Sequence, residues 1–164
     1  KADFSAGCSC DQEHCNHIPG DKIRTIRCHS VPLNHPDGGY GFKFLCDDKV
    51  FVFFPDNELR FAHKGGLTVD QYAGFCNGAD LLIHDSQYTE EDYKRTTGWG
   101  HSTFRDAVDL AIKAKVKRLG LFHHDPDRSD DSINVQYDVC RKYISERGSN
   151  LDCFVCADGL LKKK

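Results

Sequence analysis

The chain has 164 residues with a formal net charge of -3, from 22 Lys and Arg against 25 Asp and Glu. That length suits one domain with a real core, and no stretch approaches the roughly 20 apolar residues that span a bilayer. Lys162-Lys163-Lys164 is the only basic run, so no electrostatic footprint announces nucleic acid, although an RNA substrate is not excluded.

In chain order, residues 1–22 have little apolar periodicity and contain Pro19-Gly20, and read as a loop or connecting segment. Within them Cys8, Cys10, Cys15 and His17, with His14 between, offer metal-ligand types in ten residues and form a possible second zinc site of non-standard spacing. From Ile23 the chain becomes regular, with Ile26, Cys28, Val31 and Leu33 in extended segments. Tyr40, Phe42 and Phe44 alternate with small or charged residues, Asp47-Asp48 supplies a turn, and Val50–Phe54 returns as a buried partner, a β-hairpin. Thr68-x-x-Gln71 is a capping box opening a helix that stops near Asn77-Gly78. A strand follows over Asp80–Ile83, and Thr89-Glu90-Glu91-Asp92 starts a short helix. Ser102-Thr103 then caps an amphipathic helix with Phe104, Ala107, Val108 and Ala111 on one face. Strand Leu119–Phe122 precedes a helix with Ile133, Tyr137, Cys140 and Ile144 on one face, ended by Gly148, and Leu151–Ala157 is the last strand. A hairpin followed by β-α-β-α-β is an α/β layer arrangement.

Nine cysteines are an odd, scattered number, which reads as reduced thiols and a cytoplasmic protein. Cys153-Phe154-Val155-Cys156 falls on a predicted strand, where an offset of three puts the two thiols on opposite faces, so core packing is favoured over redox chemistry. The chain opens on Lys1 and holds no methionine, and so reads as processed, truncated, or transcribed without its methionines.

The chemistry concentrates at strand ends. Val50–Phe54 leads to Asp56, Leu81–Ile83 to His84-Asp85, and Leu119–Phe122 to His123-His124-Asp125. Open α/β sheets gather their sites at the carboxyl ends of strands, and imidazole with carboxylate suits zinc, iron or manganese. His35 precedes a glycine-permitted turn into a strand and can face the same edge, while His101 sits at a helix N-terminus, available for proton transfer. Trp99 beside it reads as a packing lid, with a substrate platform as the other reading; His29 and His63 read as ordinary surface or core histidines.

Five segments in order, His35-Pro36-x-x-x-Tyr40-Gly41, Phe54-Pro55-Asp56, Ala79-Asp80-Leu81-Leu82-Ile83-His84-Asp85, Gly100-His101-Ser102-Thr103 and Leu121-Phe122-His123-His124-Asp125, resemble the later motifs of the metallo-β-lactamase-fold hydrolases, nearest to the phosphodiesterase branch that includes ribonuclease Z. The similarity runs from about Ile23 to Gly159. It implies half of an αββα sandwich over residues 23–164, and a hydrolase that cleaves phosphodiesters with metal-activated water, most readily at two zinc ions, with iron or manganese as alternatives. It further implies that His35 binds one metal, Asp56 bridges two and His123 binds the other, with His124 as the rival. His101 would protonate the leaving oxygen and Asp85 would orient it. The family's first metal motif, His-x-His-x-Asp-His, is absent from the sequence; His14-Cys15-Asn16-His17 has neither its spacing nor its aspartate. The expected partner is therefore the N-terminal half of the fold, or a second copy, with a small-molecule or nucleic-acid phosphodiester as substrate and no membrane. The alternative is a non-catalytic binding or regulatory module that keeps the half-fold.

Overall fold

The computed structural model describes residues 26–157. The segment 1–22, with Cys8, Cys10, Cys15 and His17, lies outside the described residues. The described chain runs β1 (Ile26–Pro32), β2 (Tyr40–Cys46), β3 (Lys49–Phe54), α1 (Val69–Cys76), β4 (Leu81–Asp85), α2 (Glu90–Thr96), α3 (Phe104–Lys113), β5 (Arg118–Phe122), α4 (Asp130–Glu146) and β6 (Asp152–Val155). The six strands form one sheet in chain order: β1, β2 and β3 are antiparallel neighbours, and β4, β5 and β6 continue the sheet in parallel. The two-residue Asp47-Asp48 turn closes the β2–β3 hairpin, with Asp47 at φ 53°. Each parallel step is bridged by a helical crossover, α1 between β3 and β4, α2 and α3 between β4 and β5, and α4 between β5 and β6, since parallel neighbours need a long connection.

Local signals start the helices where the sequence places them. Thr68 with Gln71, Thr89 with Asp92 and Thr103 with Asp106 form reciprocal capping boxes, each satisfying backbone N–H groups that the first turn leaves free. In α3, Phe104, Ala107, Val108, Leu110 and Ala111 are buried and lie on β4 and β5. In α4, Cys140 and Ile144 are buried together with Gln136, which an apolar pattern does not mark.

Alternation along the strands gives the sheet two unequal faces. Val52, Phe54, Leu82, Leu119, Leu121 and Cys153 point into the core beneath α1, α3 and α4. Phe54 meets the rings of Tyr72 and Phe75 of α1, and Cys153 Sγ lies 3.8 Å from Cys140 Sγ of α4. Cys153 is buried, while Cys156 is half-buried near Gly120 on the opposite face, as the strand offset predicts. That opposite face carries Phe42, Phe44, Phe51, Phe53, Ile83 and Phe122. Phe42 stacks on Phe44, Phe44 on Phe51, and Phe53 meets Phe122 edge-on. None of these joins the buried core, and no described helix covers them. No helix among the described residues is long and apolar enough to cross a membrane.

Candidate metal and proton-transfer site

Strand register brings the site together. Parallel pairing sets Phe54 beside His84 and Asp85 beside Phe122, so Asp56, Asp85 and His123 fall within about one residue of a common level at the carboxyl edge. Asp85 has the same strand parity as Leu81 and Ile83, which places it on the uncovered face of the sheet. His101 arrives from the loop before α3. One ligand-type atom from each of Asp56, Asp85, His101 and His123 lies within 4.8 Å of the others.

Asp85 is fully buried, and its carboxylate accepts three hydrogen bonds. Oδ2 accepts from His101 Nδ1 at 2.7 Å and from the Asn57 backbone N–H at 3.2 Å, and Oδ1 accepts from the Gln87 N–H at 3.0 Å. Burial pushes this carboxyl up, but His101 and His123 beside it outweigh burial and hold it below the usual carboxylate range. Because Asp85 engages Nδ1 of His101, Nε2 is the nitrogen left to act.

The neighbouring His84 has a different task. It is fully buried, and its Nδ1 lies 2.6 Å from the Asp85 carbonyl oxygen, which can only accept. Its Nε2 then accepts from Asn57 Nδ2 at 3.2 Å. Burial pushes its pKa down, so it is a neutral structural imidazole that sets Asn57 in place.

His123 has left-handed backbone, φ 57°, a conformation uncommon outside glycine, where strain collects at functional positions. Its Nδ1 is buried without a hydrogen-bond partner, 3.4 Å from Asp56 Oδ1 and 3.9 Å from Asp85 Oδ2. The Asp85 carboxylate, and Asp56 behind it, raise the His123 pKa despite burial. A buried, unpaired imidazole nitrogen facing two carboxylates is a donor set that fits a divalent cation. His124 is outside this group; its Nε2 is likewise buried without a hydrogen-bond partner, but it faces neither carboxylate of the cluster, and burial pushes its pKa down.

His35 flanks the cluster without joining it. Its ring lies 5.5 Å from that of His101, centre to centre, and its Nδ1 accepts from the Asp37 N–H at 3.3 Å. Gly100 allows this approach: its φ is +100°, and a Cβ there would overlap the His35 ring and Pro36. Trp99 is 61% exposed and does not pack as a lid.

Asn57 and Glu58 carry no signal in the sequence, and His63, read there as a surface or core histidine, is a core histidine, its side chain largely buried and paired with Glu58. Glu58 is completely buried, and its carboxylate accepts from Tyr93 Oη, His63 Nε2 and the backbone N–H groups of Gly98 and Gly100. Burial pushes this carboxyl up, but those donors outweigh it and hold it below its ordinary value. Two polar residues after a strand read as a turn, and their partners lie up to 42 positions away.

No family model matches the chain. In sequence it is similar to ribonuclease Z of Brevibacillus brevis, 36% identical over 88 residues, which are 53% of this chain and 28% of that protein. It is also similar to ribonuclease Z of Sulfurisphaera tokodaii, 53% identical over 78 residues, 47% of this chain and 26% of the other. In structure it is similar to the metallo-β-lactamase fold protein YhfI of Bacillus subtilis, with TM-score 0.62 and 19% identity over 82% of this chain and 48% of that one. Human tRNase Z, short form, superposes with TM-score 0.58 and 19% identity over 87% of this chain and 44% of that one. The chain thus carries the metallo-β-lactamase fold over less than half the length of these structures, and matches about a quarter of the two ribonucleases.

Proposed function

We propose that residues 23–164 are the C-terminal half of a metal-dependent hydrolase acting on phosphodiesters, and that this chain supplies part of its metal centre. The observation that carries the reading is the convergence of Asp56, Asp85, His101 and His123 at the carboxyl edge of β3, β4 and β5. The likeness to ribonuclease Z in sequence supports phosphodiester chemistry.

Asp56 and His123 would hold divalent metal, most readily zinc, with iron or manganese as alternatives, and His35 would join them. When bound, such a centre supplies an activated water and stabilises charge on the phosphoryl oxygen. The remaining ligands would come from the N-terminal half of the fold, which would also cover the aromatic face of the sheet; a second copy of this chain is the other candidate for that role.

The proton-transfer step rests on residues of this chain. Asp85 takes the Nδ1 proton of His101 as a hydrogen bond at 2.7 Å, which fixes the ring and leaves Nε2 to hand a proton to the departing oxygen. Asn57 and Gln87 backbone N–H groups hold the carboxylate that does the orienting.

A non-catalytic binding module is the second reading, favoured by the absence of His-x-His-x-Asp-His from the sequence. One experiment separates the two. The chain in its natural assembly, loaded with zinc or manganese, is assayed on bis(p-nitrophenyl) phosphate. The hydrolase reading expects turnover that falls by about a hundredfold or more in His101→Ala with metal retained. A metal-loaded assembly with no turnover, or one indifferent to His101→Ala, supports the binding module.

A further inference from the structure

We infer that Glu58 is a positioning residue for His101, acting by holding the two glycine N–H groups that bracket Trp99; its consequence for catalysis rests on the hydrolase reading above, its geometry does not. Glu58 lies two residues beyond Asp56 and is wholly enclosed. Oε1 accepts from Tyr93 Oη at 2.7 Å and Gly98 N–H at 2.7 Å, and Oε2 accepts from Gly100 N–H at 2.8 Å and His63 Nε2 at 2.9 Å. A carboxylate offers about four acceptor positions, so these donors use all of them.

The segment so held needs outside support. Gly98 and Gly100 have φ of +86° and +100°, a conformation that lends no regular ladder to the backbone. Glycine also gives up more conformational freedom on ordering than any other residue. On the far side of His101, Ser102 completes the clamp: its Oγ donates to the Asn57 carbonyl at 2.5 Å and accepts from the Leu59 N–H at 3.1 Å. Residues 57–59 therefore grip the chain immediately before and after His101, while the Asn57 N–H grips Asp85, the partner of its ring. The segment that leaves β3 with Asp56 is the same segment that sets the imidazole.

Glu58→Gln discriminates between this role and simple space-filling. Tyr93 and His63 can reverse their hydrogen-bond sense, by rotating a hydroxyl or changing tautomer. A backbone N–H cannot. Each carboxylate oxygen serves one glycine, so whichever way the Gln amide sits, its NH2 faces either Gly98 or Gly100 and one of them loses its acceptor.

The test uses three readouts on unaltered protein, Glu58→Gln and Tyr93→Phe. Exchange of the Gly98 and Gly100 amide protons should accelerate by about tenfold or more in Glu58→Gln, with exchange in the core of α3 unchanged. The fluorescence anisotropy of Trp99, the sole tryptophan, should fall, and the His101 Nδ1–H resonance should shift or broaden. Tyr93→Phe, which leaves both glycine contacts intact, should do none of this. In the metal-loaded assembly, kcat should fall about tenfold or more while KM for bis(p-nitrophenyl) phosphate stays within about twofold. Exchange and the His101 resonance both unchanged in Glu58→Gln would overturn the inference. So would a loosened loop with unchanged kcat, as to catalysis. If unaltered protein shows no turnover, the hydrolase reading fails, and the exchange and resonance arms still decide whether Glu58 positions His101. Should Glu58→Gln not fold, Gly98 and Gly100 amides that exchange at free-chain rates in unaltered protein would overturn it.

Discussion

Asp85 is the residue on which most of the site's geometry depends. Three donors from three different segments meet its carboxylate, and none has a second acceptor at hydrogen-bond distance. Asp85→Ala would leave the Asn57 and Gln87 N–H groups and the His101 ring nitrogen facing a buried space. Leaving such groups unpaired costs about 1–3 kcal/mol each, partly recovered where water enters, so unfolding in urea should show a loss of about 3 kcal/mol. A loss under about 1 kcal/mol would mean that the network is looser than its distances. Asp85, His101 and His123 were legible in the sequence because each follows an apolar run or precedes a cap. Their mutual distances were not, since those depend on the register between β4 and β5. Glu58 and Asn57 gave no signal at all, because their partners are chosen by the tertiary path and not by spacing.

At the scale of elements, the three capping boxes show how much is local. Thr68 with Gln71 is readable directly; Thr89 and Thr103 pair with Asp92 and Asp106 in the same geometry, so the starts of α1, α2 and α3 lie in four-residue windows. How α2 and α3 are joined is not local. Arg60 donates from Nη1 and Nη2 to Glu90 at 2.8 and 2.7 Å and from Nε to Asp106 at 2.6 Å, tying the chain after β3 to the first turns of both helices. The Arg60 guanidinium holds the Glu90 carboxyl below its ordinary value. The sign follows: a carboxyl with a depressed folded pKa contributes stability that is fully present above the unfolded value, near 4.5, and is lost as pH falls through the lower folded value. Glu90→Gln should therefore reduce stability at pH 7 and flatten its decline below about pH 4.5. Both side chains are more than a third exposed, so the effect at pH 7 should stay below about 1 kcal/mol. Parallel acid-unfolding curves for the two proteins would contradict the clamp.

At the scale of the molecule, one face of the sheet has its helices and the other has aromatic rings without a described layer above them. Phe42 is 36% exposed, and Phe44, Phe51, Phe53 and Phe122 are half-buried. Fully burying an exposed ring contributes about 1.5–3 kcal/mol, and these rings still have part of that to gain, so five of them together would hold a covering layer firmly. The hairpin alternation of Phe42 and Phe44 was legible, as were the α/β order and the expectation of a partner for a half-sheet; which face it would cover was not, because apolar residues on both faces read simply as buried strands. Asp85 shares that face at its carboxyl edge, so a layer seated there would lie beside the cluster of Asp56, Asp85, His101 and His123. Phe44→Lys with Phe53→Lys should abolish association with the other half of the fold, or with a second copy, in sedimentation velocity. Unchanged association would place the contact elsewhere.

The most direct test of the account is the metal content of the purified assembly by elemental analysis after equilibration with zinc, for the unaltered chain and for Asp56→Ala and His123→Ala. The account predicts one or two ions per chain in the unaltered protein and loss of at least one in each variant, with thermal unfolding of the metal-free forms nearly superimposable. A folded, fully assembled protein that holds no zinc, or that keeps it undiminished in both variants, would contradict the placement of a metal centre at the ends of β3 and β5.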